Sequence, residues 1–314
     1  MKSASSAART SSPFLRDLKT NRVKWLMILP AAIIVILMCY IPMTGIVLAF
    51  KNYNYHDGIF RSPWVGFKNF EFFFFSGKAW SVTKNTIIYN TIFLLVNNFL
   101  QITCAIMLSE FNGKVFKRMA QSFMFMPYFI SWVVVGAFVY NLFNYEFGAV
   151  NTMLQNLNLS PINVYSKPSA WPYILVAASL FKNLGYGTVM YLASVINIDE
   201  QLFEAADLDG ATMMQKIWHI TLPSIRPTII ILFLLAIGNI MRGDFQMFWQ
   251  VTGNNPMVRE TTDVIDTYVT RSMLSLQEYG MTAAAGLYQA VFSFLLVLFA
   301  NGMVRRVEPD YSLF

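Results

Sequence analysis

The chain has 314 residues, of which 56% are hydrophobic and 13% charged, against roughly one quarter charged in soluble domains. Such a composition excludes an ordinary soluble domain and puts the bulk of the chain in lipid. The excess of 23 Lys+Arg over 17 Asp+Glu does not mark nucleic-acid binding, because no interleaving of basic and aromatic residues occurs outside the predicted spans.

The amino-terminal tail, 1–24, carries Lys2, Arg9, Arg16, Lys19, Arg22 and Lys24, and its Ser/Ala-rich stretch 3–12 is predicted to be unstructured. A basic tail before an apolar run has the outline of a secretory signal. The run 25–50 is too long for one and lacks a small-residue cleavage site, so it is expected to stay as the first membrane helix. Further apolar segments follow at 86–109, 119–143, 171–196, 226–249 and 282–304, each near the ~20 residues that cross a ~30 Å hydrocarbon layer. The expected fold is an all-α integral membrane protein of six transmembrane helices, closed by the short tail 305–314. Cys39 and Cys104 fall inside spans and imply no disulfide; His56 and His219 lie apart and imply no metal site.

Alternate threading puts four basic segments on one side: the amino tail, the loop with Lys114, Lys117 and Arg118, the loop with Lys216 and Arg226, and the carboxyl tail with Arg305 and Arg306. Their majority makes that side cytoplasmic, with both termini inside. The outer loops 51–85, 144–170 and 250–281 are long enough to carry function or an interaction surface.

Polar residues within spans usually face the interior and are functional candidates. In the third span Tyr128 and Trp132 are placed to offer stacking faces along a path, against the plainer reading as packing or interface residues. In the fourth, Lys182 lies about 16 Å along the helix, near mid-membrane, followed by Asn183 and Tyr186. Gly185 and Gly187 beside them allow close backbone approach or serve helix packing.

The loop 197–225 is the most specific segment. Asn197 or Asp199 is placed to cap a helix start, Glu200 and Glu204 suit its electropositive first turns, and the small Ala205 and Ala206 leave a surface that another protein could approach. Gly210 supplies the left-handed residue that ends the helix. From Thr212 to His219 a second short helix is expected, stopped by Pro223, with Pro227 opening the next span. A hairpin that merely satisfies the loop's backbone is the plain alternative. The acidic excess in a loop on the positive side points instead to a docking partner. In the fifth span Asn239, Arg242, Asp244 and Gln246 form the densest polar group, with Gly243 loosening the helix. Asn239, Arg242 and Gln246 share one helical face, while Arg242 and Asp244 could simply pair.

Glu204-Ala205-Ala206, Gly210, Ile220 and Leu222-Pro223, with Asp207 inside the stretch, resemble the EAA loop of inner-membrane permeases in type I ABC importers at every named spacing. The resemblance implies that this loop holds a coupling helix, seated in a cleft of a partner ATPase. Tyr40-Ile41-Pro42-Met43, Ala49-Phe50-Lys51, Trp64-Val65-Gly66, Phe129-Ile130-Ser131-Trp132, Asp266-Thr267-Tyr268-Val269 and Tyr311-Ser312-Leu313-Phe314 extend it. They resemble the carbohydrate-uptake class and its subgroup importing oligosaccharides from polysaccharides such as alginate or pectin.

The implied partners are an ATP-binding cassette ATPase dimer, a second and different permease subunit, an extracytoplasmic sugar-binding protein, the oligosaccharide itself and membrane lipid. The implied location is the bacterial cytoplasmic membrane. If Lys182 and Arg242 both face the cavity, an acidic, uronate-containing cargo is expected. No GxxxxGK[ST] occurs, so ATP and Mg belong to the partner ATPase and this chain binds no cofactor. No constellation of catalytic residues stands out. An ion-coupled carrier would normally show inverted repeats, interrupted helices and buried carboxylates, whereas Asp244 and Glu146 are the only acids near membrane depth. A purely anchoring protein would leave the loop 197–225 without a task.

Overall fold

The computed structural model describes residues 17 and 20–311 apart from 76, 112 and 308. The Ser/Ala-rich stretch 3–12, most of the basic tail and Ser312-Leu313-Phe314 lie outside them. The described residues form helices joined by turns and loops, with one isolated antiparallel bridge between Lys51 and Trp64 and no strand.

Helix α1 (Arg22–Val35) continues through a π turn at Ile36–Tyr40 into a 3-10 segment ending at Phe50. After the outer loop come α2 (Lys68–Phe75), α3 (Lys78–Glu110), α4 (Lys114–Phe125), α5 (Trp132–Phe143) and α6 (Ala149–Asn156). Then follow α7 (Trp171–Ile196), α8 (Glu200–Leu208), α9 (Met213–Ile237), α10 (Phe245–Thr252), α11 (Ile265–Leu276) and α12 (Tyr279–Val307). Four helices are long and apolar enough to cross a membrane: Arg22–Phe50, Lys78–Glu110, Met213–Ile237 and Tyr279–Arg306. The pair Lys114–Phe129 and Trp132–Phe143, bent by 96°, makes a fifth if taken as one crossing. Helix α7 has the length, 26 residues, but Lys182, Asn183 and Tyr186 interrupt its apolar run.

Two expected spans are interrupted. The segment 119–143 is not one straight helix: Pro127 lacks a backbone N–H and tightens 126–129 into a 3-10 turn, after which Ser131 starts α5 by accepting the amide of Val134. The segment 226–249 breaks between α9 and α10, where Gly238 to Asp244 leave the helix and Asp244 caps α10 through Met247 N at 3.0 Å. In the other direction, the stop expected at Pro223 is absent. A π turn at Ile217–Thr221 precedes it, and its wider i→i+5 bonding accommodates the carbonyl that a proline ring would otherwise strike. Helix α9 therefore runs unbroken from Met213. The π turn at Ile36–Tyr40 stands in the same relation to Pro42.

Packing gathers α3, α5, α7 and α10 around one core of Tyr89, Trp132, Val139, Trp171, Leu175 and Phe248. A second core joins α3, α11 and α12 through Val82, Ile265, Met281 and Ala285 with Met241 of the break. Glycines permit the closest approaches: a Cβ at Gly185 would stand 1.9 Å from Met124 O, and one at Gly136 2.5 Å from Gln250 O.

Candidate functional site: a polar cleft and a helix-turn-helix loop

The loop that leaves α7 is built by local capping. Asp199 accepts from Gln201 N at 3.0 Å and starts α8. At its end Gly210 adopts φ +72°, and two bonds close a Schellman turn: Ala211 N to Ala206 O at 2.9 Å and Gly210 N to Asp207 O at 3.1 Å. Thr212 and Gln215 then form a capping box that opens α9, and Lys216 reaches back to Asp207 at 2.8 Å. No side chain of α8 is buried, so Glu204, Ala205 and Asp207 face outward beside Leu208, which is 91% exposed. Ile220 and Leu222 are half-buried and Pro223 is exposed at the base of α9.

The break between α9 and α10 frees backbone groups, and each one buried without a partner carries a cost. Side chains from three neighbours take them up. Asn90 Nδ2 donates to Ile240 O (2.8 Å) and Arg242 O (3.0 Å). Gln289 Nε2 donates to Met241 O (3.0 Å), and Asp266 Oδ2 accepts from Gly243 N (2.7 Å) and Gln289 Nε2 (3.0 Å). Burial pushes the Asp266 carboxyl above its usual range, against the lowering effect of these two bonds. A Cβ at Gly243 would stand 2.7 Å from Val264 Cγ2, so only glycine lets this strand of backbone lie against α11.

Beside the break opens a cleft of about 450 Å³, walled by Asn90, Asn97, Asn98 and Gln101 of α3, Ser179 and Asn183 of α7, and Asn239, Arg242 and Asp244 of the fifth segment. Phe93, Leu94, Ala236, Ile240 and Met247 supply its apolar lining, and carboxamides make up most of its polar groups, able both to donate to and accept from hydroxyls. Several are held in place: Asn97 donates to Ser179 Oγ (3.1 Å), Gln101 to Asn183 O (3.0 Å), and Tyr191 Oη to Asn98 Oδ1. Asn97 Oδ1 is buried and has no hydrogen-bond partner among the described residues.

Of the residues predicted to line a path, Asn183, Asn239 and Arg242 meet in this cleft; Gln246 is exposed on α10 and stands apart from it. Lys182 and the predicted aromatics gather elsewhere. Lys182 Nζ donates to Tyr128 O (2.9 Å) and Ile130 O at the bend of the third segment, Tyr186 stacks on Tyr128 at 4.7 Å, and Trp132 is buried in the main core. Asp244 does not pair with Arg242: its oxygens take Trp132 Nε1 (2.7 Å) and Met247 N (3.0 Å). The row Asn90, Asn97, Asn98 and Gln101 was not anticipated. Its signal is there in the second segment, where these carboxamides recur at seven, eight and eleven residues from the first and so share one helical face.

Comparison with known proteins follows the same lines. Residues 101–310 match the family of binding-protein-dependent transport system inner membrane components. Protein LplB of Bacillus subtilis is 31% identical over 297 residues, 95% of this chain and 93% of LplB. The polygalacturonan/rhamnogalacturonan transport system permease YteP of the same organism is 32% identical over 91% of this chain and 88% of its own. A chain of a bacterial ABC transporter for the acidic polysaccharide alginate superposes with a TM-score of 0.86 at 33% identity, covering 94% of this chain and 99% of that one. With the family model spanning most of the chain and these relatives nearly all of it, this protein belongs to the binding-protein-dependent transport system inner membrane components, as a multi-pass permease subunit of an ABC importer.

Proposed function

We propose that this permease passes an oligosaccharide bearing uronate groups, received from an extracytoplasmic binding protein, into the cytoplasm by alternating access. The observation that carries the reading is the cleft at the fifth-segment break: six carboxamides suited to hydroxyls and a single cation, the exposed Arg242, suited to a carboxylate, while the carboxylate on the wall, Asp244, is engaged by Trp132 Nε1 and Met247 N. The relatives named for pectin fragments and alginate support it.

Counting α7 and the bent pair each as one crossing gives six spans, with both termini in the cytoplasm by the placement of basic residues. In this arrangement the loop from Asp199 to Thr212 projects into the cytoplasm, and α8 docks on an ATP-binding cassette ATPase dimer that binds ATP and Mg. A second, different permease completes the pathway, and this chain itself catalyses nothing.

Uptake by the reconstituted importer tests the cargo. Arg242→Gln is expected to lower transport of uronate oligosaccharides about tenfold, the scale of one charge-assisted hydrogen bond, and to leave neutral ones nearly unchanged. Lys182→Gln, whose ammonium lies at the bend rather than in the cleft, is expected to lower both alike. Equal losses of acidic and neutral cargo in Arg242→Gln would remove the acidic reading.

A further inference from the structure

The bend in the third segment and the break in the fifth are joined through one side chain. Lys182 Nζ satisfies the two carbonyls of the bend and lies 5.3 Å from the Trp132 ring. The N–H edge of that indole donates to Asp244 Oδ2 at 2.7 Å, and Asp244 caps α10 at the edge of the cleft. A cation over the face and an acceptor at the N–H edge are the two positions that an indole's charge distribution favours. The ring between them is 5% exposed, where such contacts are stronger than in water. Each group could have served alone: lysine could hold the bend and aspartate the cap. The indole N–H makes them continuous.

Both ends of this chain of contacts lead to functional parts. Lys182 stands on α7, about 21 Å of unbroken helix from Ile196 at 1.5 Å per residue, and α8 starts just beyond. Asp244 follows Arg242 by two residues, across the Gly243 that Asp266 pins to α11. We propose that Lys182, Trp132 and Asp244 are positioning residues that carry movement of the loop at Asp199–Thr212 through α7 to the cleft, setting where Arg242 stands. Lys182 and Trp132 stand outside the cleft and contact no cargo; Asp244 reaches its edge with both oxygens engaged by Trp132 Nε1 and Met247 N. The proposal rests on the reading of the chain as an ATP-coupled permease.

A double-mutant cycle on the complete reconstituted importer tests it, reading ATP hydrolysis stimulated by the loaded binding protein. Trp132→Phe keeps an aromatic face and removes the N–H; Lys182→Met keeps length and removes charge. Each is expected to lower the maximal stimulated rate about fivefold or more, the lower end of usual coupling effects. The half-saturating concentration should not move. The double variant should be no worse than either single one, as members of one path behave, and Lys182→Arg should restore most of the rate. Additive losses, or no loss, would overturn the proposal. A shift in half-saturation confined to acidic cargo would overturn it too, since these residues would then touch the sugar. Should Lys182→Met fail to assemble, Trp132→Phe with Asp244→Ser, which keeps a capping oxygen, forms the cycle with the same expectations. Gly210→Pro in the same assay separates the two levels. If it leaves stimulation intact, the loop at Asp199–Thr212 is not the coupling element and the path has no input; if it uncouples while the indole variants do not, only the path through Trp132 fails.

Discussion

Gly210→Pro is expected to reduce cargo-stimulated ATP hydrolysis by at least about tenfold while the spans remain folded. The residue sits at φ +72°, and a proline ring fixes φ near −65°, so the turn between α8 and α9 cannot keep its shape. The substitution also deletes the amide that bonds to Asp207 O at 3.1 Å, one of the two bonds closing the turn. The damage stays local, because a Cβ at this position meets nothing within 4 Å and no side chain of α8 is buried. Gly210→Ala separates shape from size: an L-residue held in the left-handed region costs roughly 1–2 kcal/mol, so an intermediate loss is expected. Glu204→Lys reverses a charge on the outward face without touching the turn and is expected to weaken the ATPase contact, read as loss of that subunit on purification. Full stimulation in both Gly210→Pro and Glu204→Lys would assign the loop to backbone satisfaction alone.

Gly185→Ala is expected to be the most destabilising single-methyl change in the chain, with assembly yield and Tm in detergent both falling sharply. The added carbon would lie 1.9 Å from Met124 O, 2.2 Å from Met124 C and 2.6 Å from Phe125 N. All three are backbone atoms of α4, so relief requires shifting a helix rather than turning a side chain. Overpacking commonly costs about 1–3 kcal/mol and more where nothing yields. Gly187→Ala is the internal comparison. Its Cβ would meet the side chain of Gln101 at 2.0 Å, which can rotate away at the cost of its bond to Asn183 O. A smaller loss of Tm is expected there, together with altered transport because Gln101 lines the cleft. Equal destabilisation by the two substitutions would contradict this account of the α4–α7 contact.

Much of this was legible in the residues. Apolar run length located the four helices long and apolar enough to cross a membrane, Gly210 and one of the two candidate caps, Asp199, marked the ends of α8, and Gly243 flagged the place where the fifth segment opens. What escaped was the pairing of backbone groups with distant side chains. Lys182 reads as a lone charge at mid-membrane until the bend after Pro127 places two carbonyls beside it, and nothing in the fourth segment announces a bend in the third. Pro223 reads as a stop until the π turn before it is seen, since the wider turn leaves no composition signature. Asn90, Asn97, Asn98 and Gln101 carry no charge to set them apart within an apolar run, although they supply much of the cleft's polar lining.

Helix α1 carries a last consequence. Among the described residues preceding Ala49 none is buried against the rest of the chain, although this segment is long and strongly apolar. Over Arg22–Tyr40 its helicity therefore owes little to packing within this chain, whereas the stretch Thr44–Phe50 lies against α12; in the bilayer every backbone group of the helix is bonded within the segment. During biogenesis it can insert as a finished unit before any downstream helix exists. In thermal unfolding it should stand outside the cooperative transition, leaving residual helix after the α3–α12 core has melted.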